Sequence, residues 1–235
     1  MHTQLVAEEL GIAPARVRLI TSDTGTSAYD SGAFGSTGSV VAGTAVAQAA
    51  RRLAELLATR DAEQAGPLTQ DVSAASTHAG TPRSVAFNVH GVRVAVHPAT
   101  GEVRILRSVQ AVDAGRVINP EQLRGQVEGG VAQAIGSALQ EELVVAEGEV
   151  LTRTFRDYRV PQLGDIPPTE VLYAETFDAL GPRGAKSMSE APYNPVAPAI
   201  ANAVRDALGV RPHELPMSRD RLWRLARTNP HEGES

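Results

Sequence analysis

Two hundred and thirty-five residues, 42% of them apolar, suffice for one large domain or two modest ones with a packed core, and they exclude a disordered chain. Set against 27 Asp and Glu, the 22 Lys and Arg leave a net charge of −5, and no stretch concentrates basic residues with aromatics, so a nucleic-acid footprint is absent. The lack of cysteine excludes disulfides, thiolate zinc and iron–sulfur ligation by this chain, and no apolar run approaches the roughly 18–20 residues that cross a bilayer. The N-terminus lacks the charged-then-apolar order of a secretory signal, and the expectation is a cytoplasmic protein whose partner is a small molecule or another protein.

The opening residues MHTQLVAEELGI place Leu5, Val6 and Leu10 among acids, which predicts a short amphipathic helix stopped by Gly11, with no N-cap residue ahead of it. Residues 17–20 read as a short strand entering a turn-rich loop that carries Gly25, Gly32, Gly35 and Gly38. An alanine-rich helix follows over 40–58, and the polar, aperiodic segment 59–83 reads as a connection between two lobes, 1–83 and 84–235. From 87 to 112 the pattern alternates, with a turn at His97-Pro98-Ala99-Thr100-Gly101, and predicts a hairpin.

Residues 113–120 form a turn and helix entry, and 125–143 read as a helix broken up by Gly125, Gly129, Gly130 and Gly136. Each glycine costs a helix interior about 1 kcal/mol relative to alanine, so something must approach this helix closely. A small hairpin near 144–152, a proline-rich extended segment, a strand at 171–176, a glycine-containing loop at 181–190 and helices near 198–208 and 220–226 complete the chain.

Four features bear on chemistry. The run Gly35-Ser36-Thr37-Gly38-Ser39 before a helix either presents amides and hydroxyls to an anion or simply caps the helix; it has neither the Gly-Lys-Ser/Thr of a nucleotide loop nor a dinucleotide Gly-x-Gly-x-x-Gly. Gln126, beside glycines on its helix, either donates to a buried polar ligand or accompanies tight helix packing. Glu190, between Met188 and Ala191-Pro192, is either a solvated loop acid or a general base whose apolar company raises its pKa. The six histidines have no metal-ligand spacing and read as surface residues, and no Gly-x-Ser-x-Gly is present, which disfavours a serine hydrolase.

Taken in order, seven segments give the chain a family likeness: HTQLVAEELGI (2–12), DTGTSAYDSGAFGSTGS (23–39), HPATGEVRIL (97–106), DAGRVINP (113–120), GQVEGGVAQAIGSALQEEL (125–143), DYRVPQLGDIP (157–167), and GAKSMSE (184–190) followed by APAIANAVRDALGVRPHELP. They resemble the C-terminal part of the large, molybdopterin-binding subunit of the molybdenum hydroxylases, the group of xanthine dehydrogenase, aldehyde oxidase and aerobic carbon monoxide dehydrogenase. The sequence departs from the family pattern at Ser187-Met188-Ser189-Glu190, where Gly-x-Gly-Glu is common, and at Thr37-Gly38, where Arg-Ser is expected.

The resemblance implies an α+β fold of two similar lobes, each with a small mixed sheet and packed helices, and a molybdopterin cofactor held between loops at 35–39, 126 and 186–190. It implies cofactor binding by Gly35, Ser36, Thr37, Gly38, Ser39, Gln126, Lys186 and Ser187, no protein ligand to the metal, and Glu190 as the general base. The implied reaction hydroxylates an aldehyde or N-heteroaromatic carbon with water as the oxygen source. The pterin is expected as the cytosine dinucleotide usual in bacterial members, or as the mononucleotide. Iron–sulfur clusters and FAD are expected on partner chains only, alongside the N-terminal half of the molybdenum-binding subunit, whose Gly-Gln-Gly segment would precede His2. The alternative is a truncated or non-catalytic remnant, or an assembly subunit, that keeps the fold without binding cofactor alone.

Overall fold

The computed structural model describes residues 1–27, 29–30, 32–63 and 70–228; His231 and residues 64–69 of the expected connection lie outside them. Contacts divide the chain into two units. The first takes residues 1–86, 113–120 and 175–188, and the second takes 87–112, 121–174 and 189 onward. The sequence draws a single boundary after residue 83, whereas the contacts return two later segments to the first unit.

In the first unit, helix α1 (His2–Leu10) packs on helix α2 (Gly43–Glu63). Leu5 is fully buried, and Gly11 ends α1 in the left-handed conformation at φ +65°, where a glycine carries no steric cost. A Cβ at Gly43 would stand 3.1 Å from Pro182 Cγ and 3.4 Å from Leu5 Cδ1, so the missing side chain lets α1, α2 and the 181–185 loop close together. Helix α2 outruns the expected end at residue 58 because residues 59–63 contain no glycine or proline to stop it. Residues 17–20 are not a strand: Leu19 and Ile20 are exposed, and among the described residues no neighbouring strand supplies the hydrogen bonds a strand needs. The first unit's only β-pairing among the described residues is an isolated bridge between Gly115 and Ala185.

The second unit holds the sheets. Strands β1 (Phe87–His97) and β2 (Glu102–Asp113) form the expected hairpin, and β5 (Thr169–Tyr173) adds to β2 in parallel, with Ser108 opposite Thr169 and Gln110 opposite Val171. A parallel neighbour cannot be reached by a tight turn, and helix α3 (Pro120–Leu139) lies in the connection. Strands β3 (Val145–Ala146) and β4 (Glu149–Val150) make a separate two-stranded ribbon. Helix α4 (Val196–Leu208) packs on β1 through Val196, Ile200 and Val204, a four-residue spacing that puts all three on one face. All three are fully buried, and each contributes roughly 2 kcal/mol. Helix α5 (Arg219–Ala226) is capped by Ser218 and begins against the β1–β2 turn, where a Cβ on Gly101 would lie 1.9 Å from the Arg219 carbonyl oxygen. The mixture of helices and small sheets is the α+β class expected from the sequence.

Four buried polar residues interrupt the second unit's core: His90, Ser108, Gln110 and Thr169. The Pro192 carbonyl can only accept, so the Gln110 atom 2.8 Å from it is the amide nitrogen. That nitrogen also lies 3.1 Å from His90 Nδ1 and donates to it, which leaves the ring proton on Nε2 to be donated to Ser108 Oγ at 3.1 Å. Ser108 Oγ in turn bonds Thr169 Oγ1 at 2.9 Å. His90 is therefore a buried, neutral histidine rather than the surface residue expected, and burial pushes its pKa down to about 4.

A Cβ at Gly136 of α3 would stand 2.7 Å from Pro161 Cδ, a ring that cannot swing away, so Gly136→Ala should lower stability by about 1–2 kcal/mol in urea unfolding despite its better helix propensity. His90 has a folded pKa below its unfolded value, so its contribution is full above about pH 6.5 and is lost as the pH falls toward 4. The chain should lose about 2 kcal/mol between pH 7 and pH 5 from this group, and urea titrations of His90→Gln should show that slope flattened.

Candidate functional site

On α3, Gln126, Gly129, Gly130 and Gln133 follow the i, i+3, i+4, i+7 spacing that collects residues on one helical face. With Ser189, Glu190, Tyr193 and Asn194 they line a cavity of about 390 Å³ in the second unit. The sequence left open whether the paired glycines serve a ligand or packing, and the two glycines differ in their surroundings. A Cβ on Gly130 would meet Pro192 Cβ at 3.0 Å and the Tyr193 amide nitrogen at 3.4 Å, so Gly130 admits the turn that follows Glu190. A Cβ on Gly129 would have no neighbour within 4 Å, so Gly129 leaves its part of the cavity lining bare.

The Glu190 turn is fixed at several points. The Tyr193 amide donates to the Glu190 carbonyl at 3.1 Å, Gln126 Nε2 donates to the Ser189 carbonyl at 2.6 Å, and Gln110 Nε2 donates to the Pro192 carbonyl at 2.8 Å. Glu190 itself is exposed, which agrees with the solvated loop acid among the two readings its sequence neighbours left open and not with apolar company. Neither Ser187 nor Ser189 has a positive φ, so the backbone at the two positions where the family favours glycine accommodates serine without strain. Gln133, Tyr193 and Asn194 were missed by sequence reasoning. Their signals are the helical spacing from Gln126 and the turn signature Glu-Ala-Pro directly before Tyr193.

In the first unit, the loop at 35–39 enters its helix through two successive left-handed residues, Gly35 at φ +58° and Ser36 at φ +60°. The left-handed region strains a serine, and such outliers concentrate where a loop's shape is functional. Thr37 donates its amide and its hydroxyl to the Phe34 carbonyl, at 3.2 and 2.8 Å, so its hydroxyl closes the loop and does not cap the helix. The helix then begins with a π turn over Gly38–Ala42, a wide turn frequent at functional sites. The Arg83 guanidinium lies 3.9 Å from where a Gly35 Cβ would be, a cation that sequence reasoning had left in the connecting segment.

Lys186 and Ser187 also belong to the first unit. Lys186 Nζ lies 2.5 Å from Asp113 Oδ2, and Asp113 further accepts from Thr176 Oγ1 and from the Gly115 amide at 3.2 Å. The Lys186 amide donates to Ala114 O at 2.8 Å and the Arg116 amide to Gly184 O at 2.9 Å, so the pair ties 113–116 to 184–186. Burial alone would push the Asp113 carboxyl up, but the bonds from Lys186, Thr176 and Gly115 and the Lys186 charge together hold it below its ordinary value. Among the described residues no group of three His, Cys, Asp or Glu side chains lies together as a metal site would require, and no helix is long and apolar enough to cross a membrane.

The model of the molybdopterin cofactor-binding domain family matches residues 1–79 and 68–167. Over 88% of its length the chain is 34% identical to a probable hypoxanthine oxidase of Escherichia coli, and over 93% of its length it is 32% identical to the aldehyde oxidoreductase molybdenum-binding subunit of the same species. It spans 25% and 34% of those two relatives. Among solved structures, quinoline 2-oxidoreductase from Pseudomonas putida 86 superposes with a TM-score of 0.86 at 26% identity, covering 97% of this chain and 35% of that one.

The depressed Asp113 pKa means that its stabilisation is complete above the unfolded value near pH 4 and disappears as acid protonates the folded carboxylate. Asp113→Asn should therefore destabilise the chain by about 2 kcal/mol at pH 7 and by progressively less below pH 4, read from urea unfolding at each pH.

Proposed function

Because the chain belongs to the molybdopterin cofactor-binding domain family, we propose that it forms the cofactor-binding and proton-accepting portion of a molybdenum-dependent oxidoreductase of the cytoplasm. The substrate is an aldehyde or N-heteroaromatic carbon, oxidised with water as the oxygen source. The observation that carries this reading is that Gln126 and Glu190, 64 positions apart in the sequence, line one cavity whose lining is left bare at Gly129.

The residues present suit the group. Three carboxamides, on Gln126, Gln133 and Asn194, offer the alternating donors and acceptors that a pterin edge requires, and Gly129 leaves room for a flat ring. The strained 35–36 turn, the Ser39 hydroxyl and Arg83 suit a phosphate, whose charge the guanidinium would offset. Lys186 keeps its ammonium on Asp113, so its part in cofactor binding is to fix the loop that bears Ser187.

When bound, the molybdenum cofactor supplies the two-electron redox chemistry. The chain's own part is acid–base. The Glu190 carboxylate accepts a proton from the water-derived hydroxyl, which makes that oxygen nucleophilic toward the substrate carbon. Gln126 holds the carbonyl just before Glu190, so the base starts from a fixed backbone. Conversion of C–H and water to C–OH would release two electrons and two protons, and iron–sulfur clusters and FAD on partner chains would supply the onward redox chemistry, with the N-terminal portion of the molybdenum-binding subunit completing the assembly. The pterin is proposed in its cytosine dinucleotide form.

Glu190→Gln in the assembled complex should leave molybdenum content, measured by elemental mass spectrometry, near that of the parent while turnover falls roughly 10²–10⁴-fold. Unchanged turnover would remove Glu190 as the base. A parent complex that contains no molybdenum would favour the non-catalytic reading instead.

A further inference from the structure

We propose that Gln110 is a positioning residue for Glu190, acting through the Pro192 carbonyl; the inference rests on the reading of Glu190 as the base. Gln110 lies on β2 between Ser108 and Val112, and all three are buried on the alternate positions of one strand face. A β-branched apolar residue fills such a place without penalty, whereas Gln110 is fully buried and its Oε1 has no hydrogen-bond partner among the described residues. The amide's use is therefore at its nitrogen, which serves two acceptors, His90 Nδ1 and Pro192 O.

The second of those acceptors matters because of where it sits. Pro192 is the third residue of the Glu190–Tyr193 turn, and it has no amide of its own to anchor it. Gln126 grips the carbonyl one residue before Glu190, and Gln110 grips the carbonyl two residues after it. The two donors come from different elements, α3 and β2, so Glu190 cannot swing on its backbone without breaking one of them. His90 keeps the Gln110 amide from flipping, because a flipped amide would point oxygen at both the Pro192 carbonyl and the His90 Nδ1 lone pair.

The test is amide exchange by NMR on the full chain, comparing Gln110→Met, which keeps volume and removes the donor, with Ser108→Ala, which cuts the same buried network without touching Pro192. In Gln110→Met the Tyr193 amide should exchange at least tenfold faster while the amides of Val131 and Ile200 hold their protection, and the Glu190 side-chain carboxyl resonance should move toward that of a freely rotating glutamate. Ser108→Ala should change neither. Unaltered Tyr193 protection in Gln110→Met, or equal loosening in both variants, overturns the proposal. Should Gln110→Met fail to fold, the parent chain decides: slow exchange of the Gln110 side-chain amide, with scalar coupling to the Pro192 carbonyl, supports the role, and fast exchange overturns it. In the assembled complex, Gln110→Met should lower kcat per molybdenum about tenfold at unchanged KM. Failure of the exchange test leaves the Glu190 assignment standing, whereas unchanged turnover in Glu190→Gln removes that assignment and leaves the Gln110 bond in place.

Discussion

The contact of Pro192 with Gly130 governs the second unit. The Pro192 Cβ stands 3.0 Å from where a Gly130 side chain would begin, so the helix and the turn approach only because the helix has no side chain there. That approach places Glu190, Tyr193 and Asn194 opposite Gln126 and Gln133 and so forms the cavity. It also buries the Pro192 carbonyl, which then needs a donor, and Gln110 supplies one from inside the core. Glycines at helix interiors are usually destabilising; here the loss of helix propensity is the condition for the site's existence.

The first unit is organised around a charge pair. Asp113 and Lys186 are 73 positions apart, largely buried, and surrounded by donors from Thr176 and Gly115. Such a pair is a weak source of net stability, because desolvation opposes the Coulomb gain, but it is intolerant of losing either partner. Its value lies in register: it fixes residues 184–186 beside 113–116, directly before the segment that carries Glu190. A lysine that seemed free to meet a ligand is thereby committed to the fold.

Most of the architecture was legible in the sequence because helix and strand periodicities are local. The α1 stop at Gly11, the hairpin over β1 and β2, and the helices α3, α4 and α5 all follow from spacing and breakers. Residues 17–20 misled because four apolar or long side chains in a row describe a strand only when a neighbour pairs with it. The pairing of Glu190 with Gln126 could be anticipated through the resemblance, but the choice between an exposed and an apolar setting for Glu190 could not, since burial depends on residues distant in sequence. His90 and Gln110 were invisible for the same reason. A lone histidine and a lone glutamine in alternating strands carry no motif, and only the fold shows that they share one proton-ordered chain of bonds ending at Pro192.

The chain passes between its two units five times, after residues 86, 112, 120, 174 and 188. Neither unit is therefore a contiguous stretch that gene fusion or recombination could move as a module. During synthesis residues 1–86 must wait for residue 186 to emerge before Asp113 finds its lysine and the first unit can close. Helix α1 and helix α2 can meet early, but a chain interrupted anywhere before residue 186 would leave that unit open.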